Sequence, residues 1–401
     1  MEIIGLLIAF ILILGLVIKR VNLGIAMLVG SIVIGLTSPQ IGFNQFFKIL
    51  RTGVVNQVTF ELVLMIINIT LIANVMKESK MIDQIIDNML ILFKRFELIL
   101  MMLPSIMGVL AIPGGAVMSA PMVDQIARDL GLSNSKKLAI NLLFRHIWYF
   151  IFPFVPGLIL TAALIGVDVF FVIRHMFPLT LVMGIAGYLT LFRGIDHSCW
   201  RKSTAGNKLQ AIKGLLLGLL PLLLGIFLPL LTPLPFWLSL LLGLIYLLIS
   251  QRNKIDFRTI LRRIDGKLPL AIIGIMVFKE FIGNLSALPQ LANGIIAAGM
   301  PVWLLAIVLP GLIGFITGAS SAAIGISLPL FIPLIGDLKG NMGYLVLIYY
   351  VGFFSYYLSP LHFCLLLTVE YFGLSLKESY RYLYLPMLAG LATAILLFFI
   401  Y

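Results

Sequence analysis

Charge is what this sequence has least of. Only 11% of its 401 residues are Asp, Glu, Lys or Arg, while 61% are hydrophobic. A water-soluble domain needs a mostly polar exterior, so this balance excludes one. Catalytic material is scarce too. There are 16 acidic residues and 4 histidines. No His-Glu-x-x-His, Gly-x-x-x-x-Gly-Lys-Ser/Thr, Gly-x-Ser-x-Gly or carboxylate-rich metal motif occurs. The expectation is a protein that is not an enzyme, with no cofactor and no metal, and with no ATP-driven step of its own. Two cysteines, Cys199 and Cys364, are too few for a disulfide framework. The first apolar segment lacks a basic n-region and a clean small-residue cleavage site, so it reads as a retained span and not a signal peptide.

What the chain has in abundance is uninterrupted apolar sequence. Met1–Ile18 carries one charge, at Glu2, and Gly214–Ile249 carries none. The latter is long enough for two spans at roughly 20 residues each. Leu and Ile dominate without alternation, which points to helices and away from a barrel. The net charge of +12 suggests nucleic acid at first sight. The basic residues, however, sit in short loops between apolar runs, which is the pattern of cytoplasmic membrane loops. No nucleic-acid partner is expected; membrane lipid is.

The sequence repeats itself at a period of about 206 residues. Leu103-Pro104-Ser105-Ile106-Met107-Gly108 recurs as Leu309-Pro310-Gly311-Leu312-Ile313-Gly314. Pro153 pairs with Pro360, Gly166 with Gly373, Arg174 with Arg381 and Lys77-Glu78 with Lys279-Glu280. A first repeat over 1–193, a linker over 194–208 and a second repeat over 209–401 follow.

Each repeat reads alike. Two plain apolar helices are expected at 3–18 and 21–37, then at 209–230 and 234–250. A third follows at 57–76 and 267–284. Next comes an apolar segment broken by small residues, at 97–126 and 301–336. A proline-interrupted helix follows at 136–165 and 342–372, and a last one at 169–192 and 376–400. At about 1.5 Å per residue, each arm of the broken segment is short for a bilayer about 30 Å thick. It is expected to be a re-entrant hairpin, leaving five crossings per repeat. An odd number makes the second repeat inverted, as in many secondary transporters. The fold class expected is therefore all-α, integral membrane, with two inverted repeats of five spans and one hairpin each.

Basic residues orient this plan. With the N-terminus outside, the cytoplasmic loops hold Lys19, Arg20, Lys94, Arg95, Arg128, Lys136, Lys137, Arg201, Lys202, Arg252 and Arg258 among others. The outer loops hold Lys48, Arg51 and Lys339. Both termini then lie outside a cell membrane and the linker lies in the cytoplasm. Residues 78–95 read as an amphipathic surface helix, with Met81, Ile82, Ile85, Ile86 and Met89 on one face. Asn68 and Asn74, polar positions in the third helix, are expected to bond between helices. Glu61 is a candidate for ion coupling.

Candidate binding residues cluster at the breaks. The first hairpin turns through Pro113, Gly114 and Gly115, and the second through Thr317, Gly318, Ser320 and Ser321. Broken helices inside a membrane leave amides and carbonyls that must be buried or line a wet cavity. Their ends suit ions, and the hydroxyls add ligands. Pro153 interrupts the first fourth helix; Ser359 and His362 lie at the break of the second. Arg145 is costly in an apolar segment, about 3 kcal/mol on insertion scales, and suits an anion. His146 beside it is a second donor or a proton site.

On the motifs Ile112-Pro113-Gly114-Gly115-Ala116-Val117-Met118-Ser119-Ala120-Pro121 and Phe144-Arg145-His146-Ile147-Trp148, the chain resembles the ion transporter superfamily. Within it, it is similar to an uncharacterised ten-helix branch near the gluconate permease family. That resemblance covers nearly the whole chain. It implies a scaffold of the plain helices, possible pairing as a homodimer, and a mobile domain of hairpins and broken helices. It also implies elevator-like transport of organic anions driven by sodium or protons. Dicarboxylate-transporting relatives carry Ser-Asn-Thr at both tips, whereas these tips read Pro113-Gly114-Gly115 and Ala319-Ser320-Ser321. The function expected is secondary transport of a small, anionic metabolite coupled to Na+ or H+. The alternatives are a channel or export pore, and an intramembrane enzyme acting on lipid.

Overall fold

A computed structural model describes residues 2–109, 115–195, 206–262, 264, 266–286 and 301–401. Among the described residues every regular element is helical. The first part of the chain contains α1 (Glu2–Ile18), α2 (Leu23–Thr37), α3 (Phe43–Val55), α4 (Gln57–Glu78), α5 (Met81–Leu92), α6 (Phe96–Val109), α7 (Gly115–Asp129), α8 (Asn134–His146), α9 (Pro156–Ile165) and α10 (Val169–Leu191). The later part contains α11 (Lys208–Leu231), α12 (Phe236–Ser250), α13 (Phe257–Arg262), α14 (Lys267–Gly283), α15 (Val302–Thr317), α16 (Ser320–Ile335), α17 (Met342–Leu358), α18 (Phe363–Phe372), α19 (Leu376–Tyr380) and α20 (Tyr384–Ile400).

Among the described residues, four helical stretches are long and apolar enough to cross a membrane: Phe43–Glu78, Val169–Leu191, Lys208–Leu231 and Met342–Phe372. Shorter apolar helices accompany them. Their outward faces are oily. Leu36, Leu231 and Phe399 are each more than three-quarters exposed. Apolar surface on that scale suits lipid and is penalised by water.

The core follows from the order of the elements. α1 packs on α2, and α11 on α12. Inside, α2 crosses α14 so closely that a Cβ on Gly24 would strike the Leu270 carbonyl. The two arms of each broken segment lie against one another, α6 on α7 and α15 on α16. α6 also packs along α8, and α15 along α17. Both contacts need a glycine: a Cβ on Gly108 would meet the Arg145 carbonyl oxygen, and one on Gly314 the Gly352 carbonyl oxygen. Gly166 and Gly373 end α9 and α18 in the left-handed region, at φ 70° and 63°, where a side chain is strained. The chain also crosses between its parts, with α16 against α9 and α18 against α7.

Several expected elements are displaced. The loop expected to hold Lys48 and Arg51 is a helix, α3, because Phe46, Ile49, Leu50 and Gly53 fall on one face. Ile49 and Gly53 are buried, and Gly53 lies against Val277 of α14. The last helix expected at 376–400 is two helices, α19 and α20, with turns at Arg381–Leu383 between them. α19 is fixed by a capping box in which Ser375 and Glu378 bond one another's backbone amides. The amphipathic helix expected at 78–95 is present as α5, and its apolar face, Met81, Ile82, Ile85, Ile86 and Met89, is buried. It packs on α11, where Gly218 admits Ile85. Asn68 donates from Nδ2 to the Trp237 carbonyl at 3.1 Å, tying α4 to α12.

A candidate polar centre between two broken helices

The first broken helix ends α8 on Arg145 and His146. A 3-10 turn over Ile147–Phe150 and a loop through the buried Pro153 follow before Pro156 opens α9. Proline at that first helical position costs nothing, since its missing N–H has no intrahelical acceptor there. The second broken helix has a shorter gap: α17 stops at Leu358 and His362 caps the start of α18. Arg145, His146 and His362 are all at least 96% removed from solvent.

The two gaps meet. The His146 and His362 rings stand edge to face with centroids 4.9 Å apart. Tyr149, Tyr356 and Tyr357 close around them, with centroids 5.2, 6.1 and 5.4 Å from His146. Carbonyl oxygens can only accept, so the hydrogen bonds fix both tautomers. His146 donates from Nδ1 to the Leu142 carbonyl at 2.7 Å, and His362 donates from Nδ1 to the Tyr357 carbonyl at 3.1 Å. Each neutral ring therefore keeps a lone pair at Nε2. The Tyr356 hydroxyl donates to that of His362 at 2.9 Å. The Nε2 of His146 is buried and has no hydrogen-bond partner among the described residues. A sulfur joins the group: one ring nitrogen of each histidine and Sγ of Cys364 all lie within 4.8 Å of one another. Of all the described side chains, these are the ones placed to hold a metal.

The second hairpin tip reaches the same gap. Gly318, at φ 61°, lies against the Leu361 backbone, one residue from His362. Ser359 fastens the gap to α15, donating from Oγ to the Phe315 carbonyl at 2.6 Å and accepting from the Leu361 amide at 3.1 Å. Thr317 donates to the Ile313 carbonyl of its own helix at 2.7 Å. Ser320 and Ser321 open α16, partly buried. At the first tip, Pro113 and Gly114 lie outside the described residues; Gly115 is the first residue of α7. The structure thus brings together Arg145, His146, Gly318, Ser359 and His362. The bonds of Ser359 and Thr317 tie them to the backbone.

With this geometry the whole chain can be compared with others. A family model described as a protein of unknown function, DUF401, matches residues 3–401. The chain belongs to the DUF401 family. No curated protein matches it.

Within this DUF401 chain, reading along the sequence misses half of the centre. Tyr149, Tyr356, Tyr357 and Cys364 have no motif, though the Tyr356-Tyr357 pair in an apolar helix is a signal. Asn141 is missed as well. It is wholly buried, accepts from the Ser119 hydroxyl at 2.6 Å and donates to the Ala116 carbonyl at 2.9 Å. It also reaches Thr368 Oγ1 at 3.5 Å. One amide therefore joins α7, α8 and α18. Glu61 lies elsewhere, accepting from Gln57 at 2.9 Å. With Asp168, Pro235 and Phe236 it lines a pocket of about 490 Å3 that the histidines do not share.

Proposed function

We propose that the protein is a secondary transporter of a small organic anion, coupled to Na+ or H+ and working by an elevator-like motion. Its two parts would be inverted repeats, with both termini outside the cell membrane and the linker in the cytoplasm. The observation that carries this reading is a buried, cationic centre between two helix interruptions that are far apart in sequence. A guanidinium at Arg145, 4% exposed, is retained in an apolar protein only where its charge has a use or a partner. The paired packing of α6 on α8 and α15 on α17, each through a glycine, supports the repeat.

The motion has a candidate seam. The helices that carry the gaps and hairpins pack on one another, while α1 packs on α2 and α11 on α12. The pocket holding Glu61 opens between α4 and α12 on one side and α9 and α10 on the other. A sliding boundary needs such a loosely filled contact.

The test is uptake by proteoliposomes. Purified protein should show saturable exchange of organic acids, accelerated by a sodium or a proton gradient. Linear, unsaturable flux would instead mark a pore. Product formed from lipid in detergent, without any gradient, would mark an enzyme. Anion affinity unchanged in Arg145→Ala would remove the central support.

A further inference from the structure

We propose that His146, His362 and Cys364 form a binding site for one borderline transition-metal ion of the Zn2+ type. The three residues come from two helix gaps more than two hundred positions apart, which is why no ligand spacing is visible in the sequence.

The tautomers are the first argument. A histidine ligand commonly anchors one ring nitrogen on a carbonyl or carboxylate and presents the other to the metal. Both rings here do so: Nδ1–H of each is held by a backbone carbonyl, Leu142 for His146 and Tyr357 for His362. The lone pair of His146 Nε2 is buried, with no hydrogen-bond partner among the described residues. Among the described residues the lone pair of His362 Nε2 accepts the Tyr356 hydroxyl, which an incoming ion would displace.

Distance is the second. Zn–N bonds of about 2.0–2.1 Å and Zn–S bonds of about 2.3 Å put tetrahedral ligand atoms roughly 3.5 Å apart. The nitrogens and the sulfur, all within 4.8 Å, close to that spacing by rotation of the side chains. The ligand set of two imidazoles and one thiol suits zinc or a neighbouring late metal better than a hard, oxygen-seeking ion.

Charge is the third. Cys364 is the second residue of α18, and as a ligand it supplies sulfur in its anionic form. Binding releases that thiol proton to solvent, so the thiolate offsets one charge of the ion. A tetrahedron with three protein ligands keeps one corner open, for water or an oxygen donor. This inference stands apart from the transport reading, because metal binding needs no gradient and no organic anion.

The experiment uses the full chain, purified in detergent and stripped with a chelator. Titration with Co2+ should load one ion per chain and give a thiolate-to-cobalt charge-transfer band, which Zn2+ then bleaches. C364S should abolish the band, and H146Q and H362Q should each weaken Co2+ binding at least tenfold. H175A, outside the centre, and C199S should bind as the native protein does. Because a histidine variant can misfold, a second readout keeps the outcome decisive: in C199S protein, Zn2+ should slow alkylation of Cys364 at least tenfold. Native protein that elutes as a single species yet binds no Co2+, Co2+ bound without a charge-transfer band, or alkylation unaffected by Zn2+ would each overturn the site. None of those results would touch the anion-flux test.

Discussion

The two broken helices share a frame and divide its contents. In the register that pairs Pro153 with Pro360, Asn141, Arg145 and His146 of α8 face Ile348, Gly352 and Phe353 of α17. Conversely, His362 and Cys364 stand where the first gap has Val155 and Gly157. The frame is the same: a glycine on the neighbouring arm, Gly108 or Gly314, touches the backbone of Arg145 or of Gly352. What differs is chemistry. The first helix brings the charge and an amide; the second brings a thiol, a second imidazole and the hydroxyl of Tyr356. Close backbone contact dictates shape and so is kept twice. The polar groups are not repeated position for position: where one helix carries one, the other carries an apolar or aromatic residue or a glycine.

The largest effects should come from breaking the shared frame. Gly108→Val and Gly314→Val each drive a branched side chain into a facing carbonyl. Both should destabilise by about 3 kcal/mol, the upper end of overpacking costs. Thermal unfolding followed by size-exclusion chromatography would read this, and tolerance of one change alone would show that the frames differ.

Next comes the charge. Arg145→Ala should weaken organic-anion binding by roughly 10- to 100-fold, the range for hydrogen bonds to a charged group. Thermal shift against a panel of organic acids measures it. Arg145→Lys should recover little, because an ammonium lacks the planar fork of a guanidinium.

Asn141→Ile gives the first helix the residue of the second. It removes the link from Ser119 and Ala116 to α8, and should cost about 2 kcal/mol, as loss of buried hydrogen-bond partners does. Melting in detergent checks it. Ile348 already fills the matching place without polar contacts, so a neutral outcome would mean that the two helices are interchangeable there.

The smallest change is Tyr349→Phe. The Tyr349 hydroxyl donates to the Tyr149 carbonyl at 2.7 Å and stitches α17 to the first gap. Its loss should cost about 1 kcal/mol, seen as a lower melting temperature with anion affinity nearly kept.

Much of the frame was legible in the chain. The break at 318–319 falls where small residues predict it, because glycine stops helices through local geometry alone; the first tip lies outside the described residues. α3 was not legible as a helix: its Lys48 and Arg51 resemble loop residues, and only α14 supplies the surface that buries Ile49 and Gly53. Arg145 and His146 stood out because charge is rare in so apolar a segment.

The sequence by itself determined an apolar helical chain with two similarly interrupted parts, since length, hydropathy and helix breakers act within a few turns. Only the tertiary structure decided that His146 meets His362 and Cys364, that Ser359 serves the backbone, and that Asn141 joins three helices. The reason is physical: a pairing of side chains two hundred residues apart depends on how helices cross, and crossing is set by packing across the whole core, not by any local pattern.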